Sequence, residues 1–161
     1  MEQLLHYIWK HRILPLHELR TTDGRLVEII DPGLHNHHSG PDFFNAKIRL
    51  DGTLWVGNVE IHERSADWFL HGHDQDPAYN NVVLHIASTI DMDVMTADGS
   101  RPPQMELHVP PHVMQNYQRL LADDRYPPCR DTVMQLPSLA VHSWMSALGA
   151  ERLSDKCDAI D

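Results

Sequence analysis

The chain has 161 residues, a hydrophobic share of 42% and a formal net charge of −10 from 13 basic and 23 acidic side chains. This length and composition are typical of a globular protein with its own core, and no apolar run approaches the roughly 18 residues of a membrane span. The acidic balance argues against tight nucleic-acid binding, which usually depends on a basic surface. The amino end has no signal-peptide pattern, so we expect a cytoplasmic protein whose two cysteines are reduced.

Hydrophobic periodicity predicts an α+β fold: a helix, a three-strand meander, a second helix and a further strand. The first helix covers residues 2–12 and ends at Pro15, and the second begins after Ser65 as N-cap. Asp51-Gly52 is a strong two-residue hairpin signal between two of the strands. The predicted strands are residues 26–30, 43–50, 53–62 and 82–88.

The rest of the chain predicts additions to this core. Residues 92–96 and 104–109 are expected to form a further hairpin, and residues 110–121 a helix. Tyr126-Pro127-Pro128 marks a boundary, so we expect a core domain at 1–125 and a helical extension at 126–161. The last helix, within 138–161, has no clear cap. We expect it to begin a second region of a longer protein or to pack against a second copy.

Acidic and histidine side chains concentrate between residues 34 and 85. Asp42 follows a Gly-Pro turn, and Glu60 and His62 should share one face of a strand because side chains alternate with period two. Carboxylate oxygens suit Mg²⁺ or Mn²⁺, with Zn²⁺ as the alternative, so Asp42 and Glu60 are the predicted metal ligands. His71 and His73 would assist as ligands or as general acid and base.

The order of these elements, with an acid before one strand and Glu-x-His on the next, resembles the PD-(D/E)XK nuclease-like superfamily. The resemblance implies a restriction-endonuclease-like core at about residues 2–88, with Pro41-Asp42 at the PD position and Glu60 at the acidic position. His62 stands where that superfamily has a catalytic lysine. Lys47 on the neighbouring strand could compensate if the chain bends near Asp42.

Four motifs are similar to those of an uncharacterised bacterial family, a domain of unknown function whose members are considerably longer. The resemblance covers nearly the whole chain but implies no activity. The motifs are H-N-x-x-S-G-P-D-F at 35–43, V-E-I-H at 59–62, D-W-x-x-H-G-H-D at 67–74 and L-H at 84–85.

Three hypotheses follow. The leading one is a metal-dependent nuclease or phosphodiesterase with catalytic residues Asp42, Glu60, His62, His71 and His73. The second is a catalytically degenerate domain that binds a partner, because a histidine replaces the lysine and the chain is acidic. The third is a zinc or iron hydrolase built from histidines and a carboxylate, drawn from His35, His62, His71, His73 and His85.

Each of these residues also has a structural interpretation. Asp42 could brace its turn, Glu60 could lie on a solvated strand face, and His85 is expected to be a core histidine. His37 and His38 are expected on an exposed loop, and Trp9, Trp55 and Trp68 in the core.

Overall fold

The computed structural model describes residues 1–13, 18–122 and 130–158. These residues form two compact units, Met1–Pro110 and Pro111–Asp161. Pro15, Cys129 and the boundary predicted at residue 126 lie outside the described residues, and the division at 125 stays a prediction. Cys157 is an exposed free thiol.

The first unit is built on one mixed sheet. β2, β4 and β5 form the predicted antiparallel meander, whereas β6 and β7 continue the sheet in parallel from β5. The backbone N–H of Thr22, just after β1, donates to the carbonyl of Gln104 in β7 at 2.8 Å, which brings the two ends of the sheet together. The α+β class therefore holds, while the restriction-endonuclease-like core stays a prediction. The strands are β1 (Leu19–Arg20), β2 (Leu26–Asp31), β3 (Leu34–His35), β4 (Phe43–Leu50), β5 (Thr53–Arg64), β6 (Val82–Thr89) and β7 (Gln104–Glu106).

Two helices and a short 3₁₀ turn accompany this sheet. The helices are α1 (Glu2–Lys10) and α2 (Asp67–Leu70), and the 3₁₀ turn is Pro77–Tyr79. α1 packs on β5 and buries Leu4, Leu5, Ile8 and Trp9, which recur at helical spacing. Burying each of these large side chains contributes about 1.5–3 kcal/mol.

The buried tryptophans fix the elements around β5. Trp9 and Trp68 are fully buried, as predicted, and each indole N–H finds a carbonyl acceptor. Trp9 Nε1 donates to Pro32 O at 3.0 Å, and Trp68 Nε1 donates to Met95 O at 2.9 Å. Trp55 contradicts the prediction, since it is 47% exposed. It lies in the first four residues of β5, which are exposed on both faces.

Residues 57–62 of β5 are buried on both faces of the sheet. Val59 and Ile61 alternate with Glu60 and His62, so the second face of the strand carries a buried carboxyl and a buried imidazole. Gly57 permits the close approach of β5 to the chain before β6. A Cβ atom there would lie 2.6 Å from the carbonyl of Asn81.

The hairpin predicted at 92–96 and 104–109 is wrong. Residues 104–106 form β7, which pairs in parallel with β6, and no strand forms at 92–96. The backbone of residues 92–96 forms hydrogen bonds with side chains instead. Gln104 Nε2 donates to Met92 O at 3.1 Å, and Val94 N donates to Gln104 Oε1 at 3.4 Å. The predicted N-cap is also wrong, since Ser65 Oγ accepts the N–H groups of Asp91 and Met92.

The second unit contains α3 (Pro111–Leu121), α4 (Arg130–Val133) and α5 (Ser138–Asp158). α3 and α5 confirm the two predicted helices. The apolar residues of α5 are exposed, and a role for them in dimerisation or in contact with further chain stays a prediction. They include Leu139, Trp144, Met145, Leu148 and Leu153. Among the described residues, no helix has the length and hydropathy to cross a bilayer.

Candidate metal centre

Asp42 and Glu60 meet at the end of β4 and β5 and brace each other through the backbone. The N–H of Asp42 donates to Glu60 Oε2 at 3.0 Å, and the N–H of Ile61 donates to Asp42 Oδ2 at 2.9 Å. A bulge between Phe43 and Ala46, with Asn45 at φ 55°, bends β4 here. The two acids thus lie on the same side of the molecule, as the sequence predicts.

Three imidazoles converge beside Glu60. His62 projects from β5, His71 is the C-cap residue of α2, and His73 follows Gly72, whose φ of 75° turns the chain back. One ring nitrogen from each histidine lies within 4.8 Å of the other two, so the set could hold a metal ion. All five predicted site residues therefore lie together.

One pair of ring nitrogens has the separation expected at a tetrahedral metal, and the carboxyl group of Glu60 lies beside the three histidines. With metal–nitrogen bonds of about 2.0–2.1 Å, two ligand atoms of a tetrahedron lie about 3.3 Å apart. His62 Nε2 lies 3.2 Å from His71 Nδ1. Glu60 Oε1 lies 3.1 Å from His73 Nε2 and 3.5 Å from His62 Nε2.

His73 supplies the clearest sign of a missing ligand. Its Nε2 atom is buried and has no hydrogen-bond partner among the described residues, although Glu60 Oε1 lies 3.1 Å away. Its ring stacks on Tyr79 at a centroid distance of 3.8 Å and meets the edge of Trp68 at 5.4 Å. A buried, firmly packed and unsatisfied nitrogen of this kind fits a metal ligand.

Burial keeps His62, His73 and Glu60 neutral in the absence of a metal. It lowers the pKa of His62 to about 2, with a further contribution from the neighbouring His85, and it lowers the pKa of His73. Burial and then the charge of Asp42 raise the pKa of Glu60 to about 9. Neutral imidazoles are the form that binds metals, so His62 and His73 need to release no proton on binding.

His85 and then Gln104 lie behind His62. His62 Nδ1 lies 2.9 Å from His85 Nε2, and His85 Nδ1 lies 3.3 Å from the amide nitrogen of Gln104. A metal on His62 Nε2 requires the proton on Nδ1, where it donates to His85 Nε2. The proton of His85 then lies on its own Nδ1, so the donor amide nitrogen of Gln104 makes no hydrogen bond to it in that state. His85 is thus a fully buried core histidine, as predicted, but it also orients the ring of His62.

Lys47 does not compensate for the missing lysine. It is half exposed, and its Nζ lies 4.0 Å from Asp31 Oδ2, so its ion pair is with a surface acid of β2. Asp42 instead contacts His6 of α1, whose Nε2 lies 3.2 Å from Asp42 Oδ2. Burial alone would lower the pKa of His6, but the contact with Asp42 outweighs it and raises the pKa.

The sequence did not reveal three residues of this region: His6, Tyr79 and Gln104. His6 had a usable signal, because it neighbours the buried Leu5 on α1. Tyr79 and Gln104 had none, since their roles depend on the 3₁₀ turn and on the parallel pairing of β7. His37 and His38 are exposed, as predicted. The roles of Asp42 and Glu60 as ligands for Mg²⁺ or Mn²⁺ stay predictions.

The chain was compared with protein families, curated proteins and solved structures. Residues 2–161 match a family described as a protein of unknown function, DUF2851, and the matched range contains every residue of the site. Neither a curated protein nor a solved structure matches the chain. Because the family match covers nearly the whole sequence, the chain belongs to the DUF2851 family.

Proposed function

We propose that this domain is a metal-dependent hydrolase whose metal is held by His62, His71 and His73. The observation that carries the proposal is the convergence of one ring nitrogen from each of the three histidines, together with the buried His73 Nε2 that has no hydrogen-bond partner among the described residues. Imidazole ligands favour Zn²⁺ or Fe²⁺ over Mg²⁺. Three protein ligands with an open fourth position are typical of catalytic zinc sites, whereas structural sites usually have four.

Glu60 gives this site its acid–base group. A bound Zn²⁺ supplies Lewis acidity and lowers the pKa of a coordinated water to about 7. Hydrolysis adds the hydroxyl of water to the acyl or phosphoryl centre and a proton to the leaving oxygen. Glu60 Oε1 lies within 3.5 Å of two of the three ligand nitrogens, so a metal on those nitrogens would favour the ionised carboxylate. Glu60 would then accept a proton from the coordinated water as the hydroxyl adds to the reacting centre, and it would deliver that proton to the leaving oxygen.

Metal content and hydrolysis together test this proposal. The purified protein is expected to retain about one zinc or iron per chain by elemental analysis and to hydrolyse p-nitrophenyl acetate or bis-p-nitrophenyl phosphate. His71→Ala is the variant of choice, because His71 is exposed and its loss should leave the fold intact. His38→Ala, at an exposed histidine outside the site, is the matched control. Equal metal content in both variants would remove the triad from metal binding.

A second candidate is the Mg²⁺- or Mn²⁺-dependent phosphodiesterase of the nuclease-like type. The convergence of Asp42 and Glu60 at one sheet end favours it, because two carboxylates are the usual ligands of these ions. Cleavage of DNA or RNA that requires Mg²⁺, is abolished in Asp42→Asn and persists in His71→Ala would select this candidate. Absence of hydrolysis with any metal would instead favour the partner-binding alternative.

A further inference from the structure

A groove of 610 Å³ lies between α1 and the segment that follows β3. α1 lines it with His6 and Lys10, the C-cap residue His11 follows, and the β3 segment adds His35 and His37. The two histidines of the β3 segment pack together, with ring centroids 4.3 Å apart, and His35 stacks on the buried Phe43 at 4.8 Å. The groove is thus a fixed surface rich in nitrogen donors.

Asp42 and Glu2 connect the groove to the metal centre. Asp42 contacts His6 on the groove side and, through its backbone N–H, holds Glu60 on the other side. Glu2 lines the groove, and its pKa is raised by burial and by the charge of Asp42, while the nearby His6 and His71 lower it. A molecule lying in the groove could therefore present one end to the triad.

The charge of the groove differs from that of the molecule. The chain has a net charge of −10, yet four histidines and Lys10 line the groove against one acid, Glu2. Within residues 1–13, 18–122 and 130–158, no three of the groove histidines bring their ring nitrogens close enough together to hold a metal ion. Each imidazole can instead donate a hydrogen bond, and donors around a cationic side chain are suited to an oxyanion.

We propose that this groove is the binding site for an oxyanion, a phosphate or carboxylate group, carried by the substrate of the metal centre. The substrate role depends on the proposed hydrolase function, but anion binding by the groove does not. The natural substrate is then an ester that carries a second anionic group, which anchors it in the groove while the ester reaches the triad.

Calorimetric titration with inorganic phosphate, in EDTA at constant ionic strength, tests the groove separately from the metal. Wild-type protein is expected to bind phosphate, and Lys10→Gln is expected to weaken the affinity about fivefold to tenfold through loss of a charge-assisted hydrogen bond. Lys47→Gln is the matched control, because Lys47 pairs with Asp31 and does not line the groove. This variant should bind phosphate as the wild type does.

A second pair of variants guards against a general effect of charge. His37→Asn should weaken phosphate binding, whereas His38→Asn, one residue outside the lining, should not. Absence of phosphate binding by the wild type, or equal affinities within either pair of variants, would overturn the proposal that the groove binds an oxyanion. Retained zinc together with absent phosphate binding would refute that proposal alone. Phosphate binding without any retained metal would refute the proposed hydrolase function.

Discussion

The buried carboxyl of Glu60 should make the metal-free protein less stable as the pH rises. Its pKa is about 9 in the folded protein, against an ordinary value of 4.5 for a glutamate in water. Between these two values the folded state keeps a proton that the unfolded state has lost. A pKa that is raised on folding contributes stability that is complete below the unfolded value and is lost as the pH rises through the folded one.

The size of the effect follows from this linkage. One proton difference changes the free energy of unfolding by about 1.4 kcal/mol per pH unit. From about pH 6 to about pH 8, Glu60 alone therefore lowers the stability by roughly 2–3 kcal/mol. The neutral Glu60→Gln variant lacks this loss. Burial lowers the pKa values of His62 and His85, so these two residues make the protein less stable in acid instead. Both are present in the wild type and in Glu60→Gln, so their effect cancels in the comparison.

Urea unfolding in EDTA at several pH values measures this difference. The stability of Glu60→Gln relative to wild type should rise by roughly 2–3 kcal/mol across those two pH units. Glu28→Gln, at an exposed carboxyl of β2 that pairs with Arg49, is the matched control and should follow the wild-type curve. A constant difference between Glu60→Gln and wild type would show that Glu60 is ionised in the folded state and would refute the reasoning.

Two further predictions concern packing and the support of His62. Gly57→Ala should destabilise the first unit by about 1–3 kcal/mol in thermal unfolding, because its Cβ would meet the Asn81 carbonyl. Gly149→Ala, in α5 with open space around it, should instead stabilise its helix by about 0.5–1 kcal/mol, and equal effects would refute this argument. His85→Leu should weaken zinc affinity about 10-fold to 100-fold in a chelator competition, because the N–H of His62 Nδ1 loses its acceptor. An unchanged affinity would remove His85 from the support of His62.

Local patterns predicted the elements that carry the site. The Asp51-Gly52 turn fixed the hairpin of β4 and β5, and the alternation around Glu60 placed the carboxyl and His62 on one strand face. The spacing of His71 and His73 around Gly72 placed both near a helix end, where the structure has them. Hydrophobic patterns with a period of two or 3.6 residues depend only on residues close in the chain, so they predict strands and helices without knowledge of the long-range packing.

Long-range packing decided what the sequence could not show. The imidazole triad needs α2 and the turn after it to fold back on β5, so its members do not form a recognisable ligand motif in the chain. Residues 92–96 have a strand-like composition, but the side chains of Trp68 and Gln104 take their backbone hydrogen bonds. The proposed metal differs from the predicted one for the same reason, because the fold brings three imidazoles together beside Glu60, whereas Asp42 is joined to Glu60 through backbone hydrogen bonds.

The position of a bound zinc ion tests the central claim most directly. Crystals grown with Zn²⁺ should show one anomalous-scattering peak about 2.0–2.1 Å from His62 Nε2, from the Nδ1 atom of His71 and from His73 Nε2. A peak coordinated by Asp42 and His6, or no peak at the triad at zinc concentrations that saturate binding in solution, would contradict the account.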